Sequence, residues 1–330
     1  MGSISETRLR SSGSNVTVRV SCWAVFPGRQ KLPVAPAHAH TRGKREGRQI
    51  MELPTGVGDG EAQQKFISRF KPFLLEYPNV SALLKRVFLR SVQSPSPEEL
   101  KPLEGLLDTD PVVIAFNDRW WANQMVFFLG RIAADDFGEV LVLAGNARGV
   151  GAYKVLRGMY ERLVTASYIA KNPAEVQPFM DDLIVKNWKL WKRSCEAIPD
   201  LVDNVSKEEI AFLEKAYQEV KDMKPRPDLA NMAKKSDTAL ANLYAPCYLE
   251  PTFHSHATMF GVQRRLRREQ GKTSFRESTE KEARIAVELG HQLVLRVILL
   301  QNNVFSLGLD DELKARADAF LAAWKEIPPG

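Results

Sequence analysis

Apolar side chains recur at a spacing of three to four residues along most of this chain, and the two-residue alternation typical of strands is scarce. The spacing is clearest from Gly149 to Asn172, where Pro173 ends the pattern. A second stretch, Glu280 to Phe305, is apolar on nearly all sides, as expected of a helix at the centre of a bundle. The sequence therefore predicts an all-α fold, a multi-helix bundle.

Local signals refine the helix boundaries. Residues 61–92 predict a pair of helices interrupted at Tyr77-Pro78, and Ser206 to Glu209 has the spacing of a capping box. Pro251 is expected to open a helix that runs to Glu269, and residues 271–279 are expected to form a polar loop.

The positive charge is concentrated at the N-terminus. Residues 1–50 hold nine basic and two acidic side chains, whereas the other 280 residues hold 37 basic and 38 acidic ones. The first 50 residues also lack the apolar content that offsets the entropy of ordering, so we predict a disordered basic tail and take Met51 as the natural start. We expect a small helical leading segment at 51–110 and the main helical bundle at 111–330.

Cysteine usage and hydropathy indicate a compartment. The three cysteines, Cys22, Cys195 and Cys247, are far apart and form no Cys-x-x-Cys spacing, which argues against a disulfide framework and a thiolate zinc site. Charged residues interrupt the most hydrophobic region before it reaches the length of a membrane helix. We expect a cytoplasmic protein with no membrane partner, no metal and no cofactor.

One helix combines an apolar stripe with a polar one. At 100° per residue, Arg157, Glu161, Thr165 and Tyr168 fall opposite the apolar arc of the 149–172 helix. Arg157 and Glu161 are i, i+4 neighbours, and a solvated pair in this order contributes little to stability. If a neighbouring helix covers that face, the pair must be satisfied and becomes a fixed polar site.

Two segments together resemble a family of bacterial helical proteins known only as a domain of unknown function. They are the helix from Tyr153 to Tyr168, which holds Arg157 and Glu161, and the later residues Tyr248 and His254-Ser-His256. The resemblance extends over about residues 112 to 305. It implies an all-α fold and a shared polar site, but no reaction. The chain departs from the family pattern in having Thr252 and two histidines, so either histidine could correspond to the family's one. The expected ligand-binding residues are Arg157, Glu161, Tyr168, Tyr248, His254 and His256.

A different spacing lies on the last long helix. Arg284 and His291 are two turns apart, a spacing similar to that of the HEPN superfamily, many of whose members cut RNA without metal. That resemblance implies catalysis by His291 as acid or base and by Arg284 as a phosphate-binding charge, with the cleft built across a homodimer. Ile285 departs from the usual motif.

Three functions follow from these patterns. The leading hypothesis is binding of a small anionic ligand or a protein partner, in which Arg157 clamps an anionic group, Glu161 orients it and a histidine donates a hydrogen bond. The first alternative is a metal-independent ribonuclease of toxin or phage-defence type, with RNA as substrate. The third is a metal-dependent hydrolase using His254, His256 and Glu161, so whether the protein is an enzyme stays open.

The cluster Arg264-Arg265-Leu-Arg267-Arg268 suits a helix C-terminus as well as a phosphate backbone.

Overall fold

The computed structural model describes residues 9–11, 14–16, 60–89, 95–197, 206–223, 226–255, 259–269, 271–275 and 280–327. Helices account for most of them, and the prediction of an all-α fold is confirmed. The helices are α1 (Gly60–Arg69), α2 (Lys71–Phe88), α3 (Pro97–Leu100), α4 (Pro111–Gly145), α5 (Gly149–Lys171), α6 (Val176–Ala197), α7 (Lys207–Val220), α8 (Leu229–Ser236), α9 (Thr238–Asn242), α10 (Glu250–Ser255), α11 (Met259–Arg265), α12 (Glu280–Phe305) and α13 (Asp310–Glu326). Single 3₁₀ turns lie at Lys101–Leu103 and Pro173–Glu175, a π turn at Ala245–Leu249, and four short strands at β1 (Leu9–Ser11), β2 (Ser14–Val16), β3 (Leu266–Glu269) and β4 (Lys272–Phe275).

Several boundaries fall where the sequence places them. Helix α12 has the predicted limits, and α5 ends one residue before the predicted Asn172. At the start of α7, the Ser206 hydroxyl accepts from the Glu209 backbone N–H at 3.1 Å, and the Glu209 carboxylate accepts from the Ser206 N–H at 3.1 Å. The capping box therefore forms as predicted.

Two local predictions are wrong. The break expected at Tyr77-Pro78 does not occur, because α2 runs through Pro78 and the chain instead breaks at Phe70. Proline removes one helical hydrogen bond, and the buried stripe that includes Phe73, Val80 and Leu83 offsets that loss.

The second wrong prediction concerns the chain after α11. Instead of continuing as a helix to Glu269, it enters the antiparallel β3–β4 hairpin, whose register pairs Leu266 with Phe275 and Glu269 with Lys272. Gly271 supplies the positive φ, 76°, that the reversal requires.

The residues group into two units. In the first, the described residues are β1, β2 and 95–114; Leu9 pairs with Val16, Ser96 caps α3, and Leu103 is buried. Apart from β1 and β2, the predicted disordered tail lies outside the described residues. The described residues of the second unit lie within 60–89 and 115–327, and they include α1 and α2.

The core of the second unit forms around α5 and α12. Leu156 and Met159 of α5 are fully buried in the same cluster as Val294 and Ile298 of α12. None of the helices in the described part of the chain combines the length and apolarity needed to cross a membrane.

A buried glutamine joins α12 to α4. Gln301 is fully buried, and its amide Nε2 donates to the Val126 carbonyl oxygen at 2.9 Å. A Cβ at Gly130, one turn farther along α4, would overlap the Gln301 amide, so glycine leaves the room that this amide occupies.

Candidate functional site

Helix α5 places three polar side chains at successive turns, Tyr153, Arg157 and Glu161, on the face that meets residues 245–255. The Arg157 guanidinium donates to Glu161 Oε1 at 3.1 Å and to the Tyr248 hydroxyl at 3.4 Å. Its Cζ also lies 4.8 Å from the centroid of the Tyr248 ring, a cation–π contact. The Arg157 side chain is 23% exposed and that of Glu161 is 42% exposed. The pair is therefore held by an aromatic neighbour as well as by its own charges.

The π turn positions Tyr248. Pro246 lies in this turn and has no N–H to donate, and its carbonyl accepts from the Tyr153 hydroxyl at 2.9 Å. The Tyr244 and Tyr248 rings stack with centroids 5.2 Å apart, and the Thr252 hydroxyl donates to the Tyr248 carbonyl at 2.5 Å. Tyr248 is thus held by contacts of both its ring and its backbone.

Behind this surface the polar groups are buried and neutral. The Tyr160 hydroxyl donates to the Leu240 carbonyl at 2.8 Å, and burial raises the pKa of Tyr160 above its usual value. Cys247 is fully buried, and burial raises the pKa of its thiol to about 12. A thiol held in this neutral form is a packing group rather than a nucleophile.

Beside the pair lies a groove of about 610 Å³, which is in the size range of small-molecule sites. It is bounded by α5, α6, the start of α8 and the chain that leads into α8. Its lining residues are Leu129, Glu161, Arg162, Thr165, Phe179, Asp182, Leu183, Lys186, Arg226, Pro227, Asp228, Leu229, Met232 and Tyr248. Glu161 and Tyr248 thus belong both to the contacts of Arg157 and to the groove wall.

The charges of the groove differ in how fully they are neutralised. Arg162 forms an ion pair with Asp136, and Lys186 forms one with Asp182 at 2.6 Å. Arg226 lies with its Cζ 5.1 Å from the centroid of the Phe179 ring, and no carboxylate among the described residues forms an ion pair with it. Arg226 is therefore the groove cation most open to an incoming anion.

Asp136 is a buried acid next to the groove. Burial raises the pKa of this carboxyl to about 6, and Arg162 opposes that rise while the nearby Glu139 adds to it. The charge on Asp136 that neutralises Arg162 consequently titrates near neutral pH.

The structure brings together some of the predicted ligand-binding residues. Arg157, Glu161 and Tyr248 are in contact, and the His254 ring centroid lies 6.0 Å from that of Tyr153, one turn before Arg157 on α5. His256 lies outside the described residues.

Tyr168 does not join them. It lies three turns along α5, about 16 Å from Arg157 along the helix axis, and is 3% exposed. Burial, and then the charge and hydrogen bond of Glu175, raise the pKa of Tyr168. The predicted polar stripe is therefore accessible to solvent only in its first half, because the second half of α5, with Thr165 and Tyr168, is buried.

Most of the groove lining was missed from the sequence, including Arg162, Phe179 and Arg226. Arg162 follows Glu161 directly, and its partner Asp136 is 26 positions earlier on α4. The prolines on either side of Arg226 indicate a break between helices, but no pattern shows what that break faces.

The Arg284 and His291 pair of the ribonuclease alternative lies on a covered face. His291 is 1% exposed, with ring centroids 4.2 Å from Phe320, 4.6 Å from Phe73 and 6.0 Å from Phe137. Neither of its ring nitrogens has a hydrogen-bond partner among the described residues, and burial lowers the pKa of His291 to about 3. The Arg284 guanidinium packs 5.9 Å from the Trp324 ring centroid. This enclosure gives a substrate no route to the imidazole and does not support a role in proton transfer.

A metal site is also without support in the described residues, which contain no group of three or more His, Cys, Asp or Glu side chains arranged to hold an ion. One of the three groups named for the hydrolase alternative, His256, lies outside that part of the chain.

The geometry defines an all-helical protein with a mixed-charge groove beside an arginine, glutamate and tyrosine cluster. Residues 128–273 match the model of a family described as "Family of unknown function (DUF5677)", in line with the expected resemblance to an uncharacterised family. This segment is just under half of the chain; it contains every lining residue of the groove and neither Arg284 nor His291. No curated protein and no solved structure matches the chain.

Proposed function

We propose that the protein binds a small anionic molecule with an apolar or aromatic body in the groove beside Glu161 and Tyr248. The observation that carries the proposal is the juxtaposition, on one wall, of Arg226 and the ring of Phe179, with no carboxylate among the described residues paired to that arginine. A carboxylate or phosphate group would bind the guanidinium, since planar arginine donates two parallel hydrogen bonds to such groups.

The apolar body of the ligand would lie along Leu183, Leu129 and Met232, which line the same groove. At its other end, the exposed part of Glu161 and the Tyr248 hydroxyl would accept and donate hydrogen bonds. Because Asp228 already accepts from the Asn231 backbone N–H at 2.8 Å, that carboxylate is occupied in capping α8.

In this proposal Arg157 acts by positioning. Its guanidinium does not line the groove and is engaged by Glu161 and Tyr248, so it holds those two side chains at the groove edge. The clamp expected of Arg157 is assigned to Arg226 instead. His254 contacts the Tyr153 ring and is likewise outside the groove lining, so the proposal gives it no direct contact with the ligand.

The test is binding of an aromatic sulfonate dye, 8-anilinonaphthalene-1-sulfonate, followed by fluorescence. Arg226→Gln should weaken binding at least about fivefold, since a charge-assisted contact contributes about 1 kcal/mol or more. Arg226→Lys should recover part of the loss. The matched control is Arg193→Gln, which removes an exposed arginine of α6 that is not in the groove lining. This variant should bind the dye as the parent does. Equal binding by Arg226→Gln and Arg193→Gln would remove the proposal.

A further inference from the structure

The β3–β4 hairpin is unlike the rest of the second unit. It is the only strand pair described there, and all four β4 residues, Lys272 to Phe275, are exposed. A two-stranded hairpin is at best marginally stable in water, and within the described residues no third strand pairs with either of its edges. Its existence between α11 and α12 therefore needs an explanation other than core formation.

The hairpin and the end of α11 concentrate positive charge. Residues 264–272 contain five basic side chains, Arg264, Arg265, Arg267, Arg268 and Lys272, against the single acid Glu269. Residues 51–330 as a whole hold one more acidic than basic side chain, so the rest of this part of the chain is net acidic. A concentrated patch of this sign attracts polyanions.

Apolar groups lie among these charges. Leu266 and Phe275 face each other across the hairpin, 41% and 62% exposed. The guanidinium of Arg265 lies 4.8 Å from the centroid of the Phe275 ring. Strand alternation puts Arg268 on the same face as Leu266, so one face of the ribbon combines a cation with exposed apolar groups.

The dimensions of the ribbon narrow the choice of polyanion. Four residues per strand give a length of about 13 Å, and two strands with their side chains occupy a width of about 10 to 12 Å. The major groove of B-form DNA is about 12 Å wide and admits a two-stranded ribbon, whereas the major groove of A-form RNA is too narrow for one. An anionic membrane would favour a larger continuous apolar face than the Leu266 and Phe275 pair.

We propose that the β3–β4 hairpin is a docking element for duplex DNA. The hairpin enters the major groove and contacts backbone phosphates through Arg268 and Lys272. This surface is separate from the groove, since neither residue lines it. Glu269 and the turn at Gly271 lie at the tip, where the ribbon would be deepest in the DNA.

The experiment measures binding of the full chain to a short, mixed-sequence, fluorescently labelled DNA duplex by anisotropy at about 100 mM salt. The double variant Arg268→Gln, Lys272→Gln should bind at least about fivefold more weakly and lower the slope of log K against log salt by about 1.8 for two lost phosphate contacts. The matched control, Arg193→Gln with Lys189→Gln, removes the same charges from an exposed face of α6 and should change affinity less than twofold. The basic N-terminal residues are present in all three proteins and cancel in the comparison.

Three further arms make the result decisive. Arg268→Lys with Lys272→Arg should restore binding, and circular dichroism should show the helical content of the parent in every variant. On an A-form RNA duplex of the same length, the hairpin variant should lose less than twofold. On anionic phosphatidylserine vesicles, parent and variant should bind alike. The proposal is overturned if the parent does not bind DNA, if the α6 control loses as much as the hairpin variant, or if the loss appears on RNA or vesicles instead of DNA.

Discussion

Two helical faces of this protein carry an arginine and a second titratable group at helical spacing, and they meet opposite surroundings. On α5, Arg157 and Glu161 lie half-buried beside a groove, in contact with a tyrosine from the π turn. On α12, Arg284 and His291 face the aromatic side chains of α13, where the imidazole is enclosed. The comparison teaches that spacing fixes which side chains share a face, whereas the packing of other helices decides whether that face can bind anything.

Removing an aromatic side chain that packs on His291 should lower the free energy of unfolding. Phe320→Ala deletes a ring that is 5% exposed and packs on His291, so unfolding should become easier by about 3 to 5 kcal/mol. Urea denaturation at neutral pH measures the change. Leu321→Ala, at a neighbouring position that is 59% exposed, should cost less than about 1 kcal/mol. Similar losses for the two variants would mean that α13 does not cover α12 as described.

The same face should respond to acid through His291. Its folded pKa of about 3 lies below the ordinary histidine pKa of 6.5, so the unfolded chain takes up a proton first as the pH falls below 6.5 and the native state loses stability. From pH 7 to pH 5 this group should remove about 2 kcal/mol, and His291→Leu should abolish that part of the loss.

Denaturant unfolding of parent and His291→Leu at the two pH values provides the measurement. The difference between the proteins should grow by about 2 kcal/mol in favour of the variant as the pH falls. A constant difference would show that the imidazole reaches solvent and would reopen the ribonuclease alternative.

For the buried Asp136 on α4, next to the groove, the pH effect should have the opposite sign. The pKa of Asp136 is about 6 in the folded protein, above the ordinary aspartate pKa of 3.8, so the native state takes up the proton more readily as the pH falls through 6. Asp136 should therefore add about 1 kcal/mol of stability between pH 7 and pH 5, and Asp136→Asn should lack this gain. Parallel pH curves for parent and Asp136→Asn, recorded by the same unfolding assay, would contradict the assignment.

The smallest expected effect concerns the ion pair of Arg157 and Glu161. Glu161→Gln should change the free energy of unfolding by no more than about 0.5 kcal/mol, because the carboxylate is 42% exposed and solvent screens the pair. Its effect should appear in ligand binding instead. A loss above about 2 kcal/mol would place Glu161 in the structural core rather than at a groove edge.

The sequence predicted the helical class and the contact of Arg157 with Glu161, because both depend on periodicity within one helix. The association with Tyr248, 91 positions after Arg157, came from a family resemblance rather than from periodicity. Arg226 and Phe179 could not be predicted, since one lies in a connection between helices and they meet only through the packing of the bundle.

The failures have physical causes as well. The α5 stripe was projected onto an isolated helix, which cannot show that neighbouring helices bury Thr165 and Tyr168. From the sequence, Pro78 predicts a break in a helix and Gly271 the start of a loop. The packing of α2 outweighs the proline signal, and Gly271 forms a hairpin turn instead.

The π turn at Ala245–Leu249 has a consequence for how this protein can tolerate changes in length. A π turn holds about one residue more than an α turn, so it sets the rotational phase of everything that follows on the same axis. Deleting a single residue there would let the wide turn close to an ordinary α turn, so the downstream part of the helical segment would keep its orientation. The same deletion in an α-helical turn of this segment would rotate the downstream part by about 100°, so the π turn is the place in the segment that best tolerates the loss of one residue.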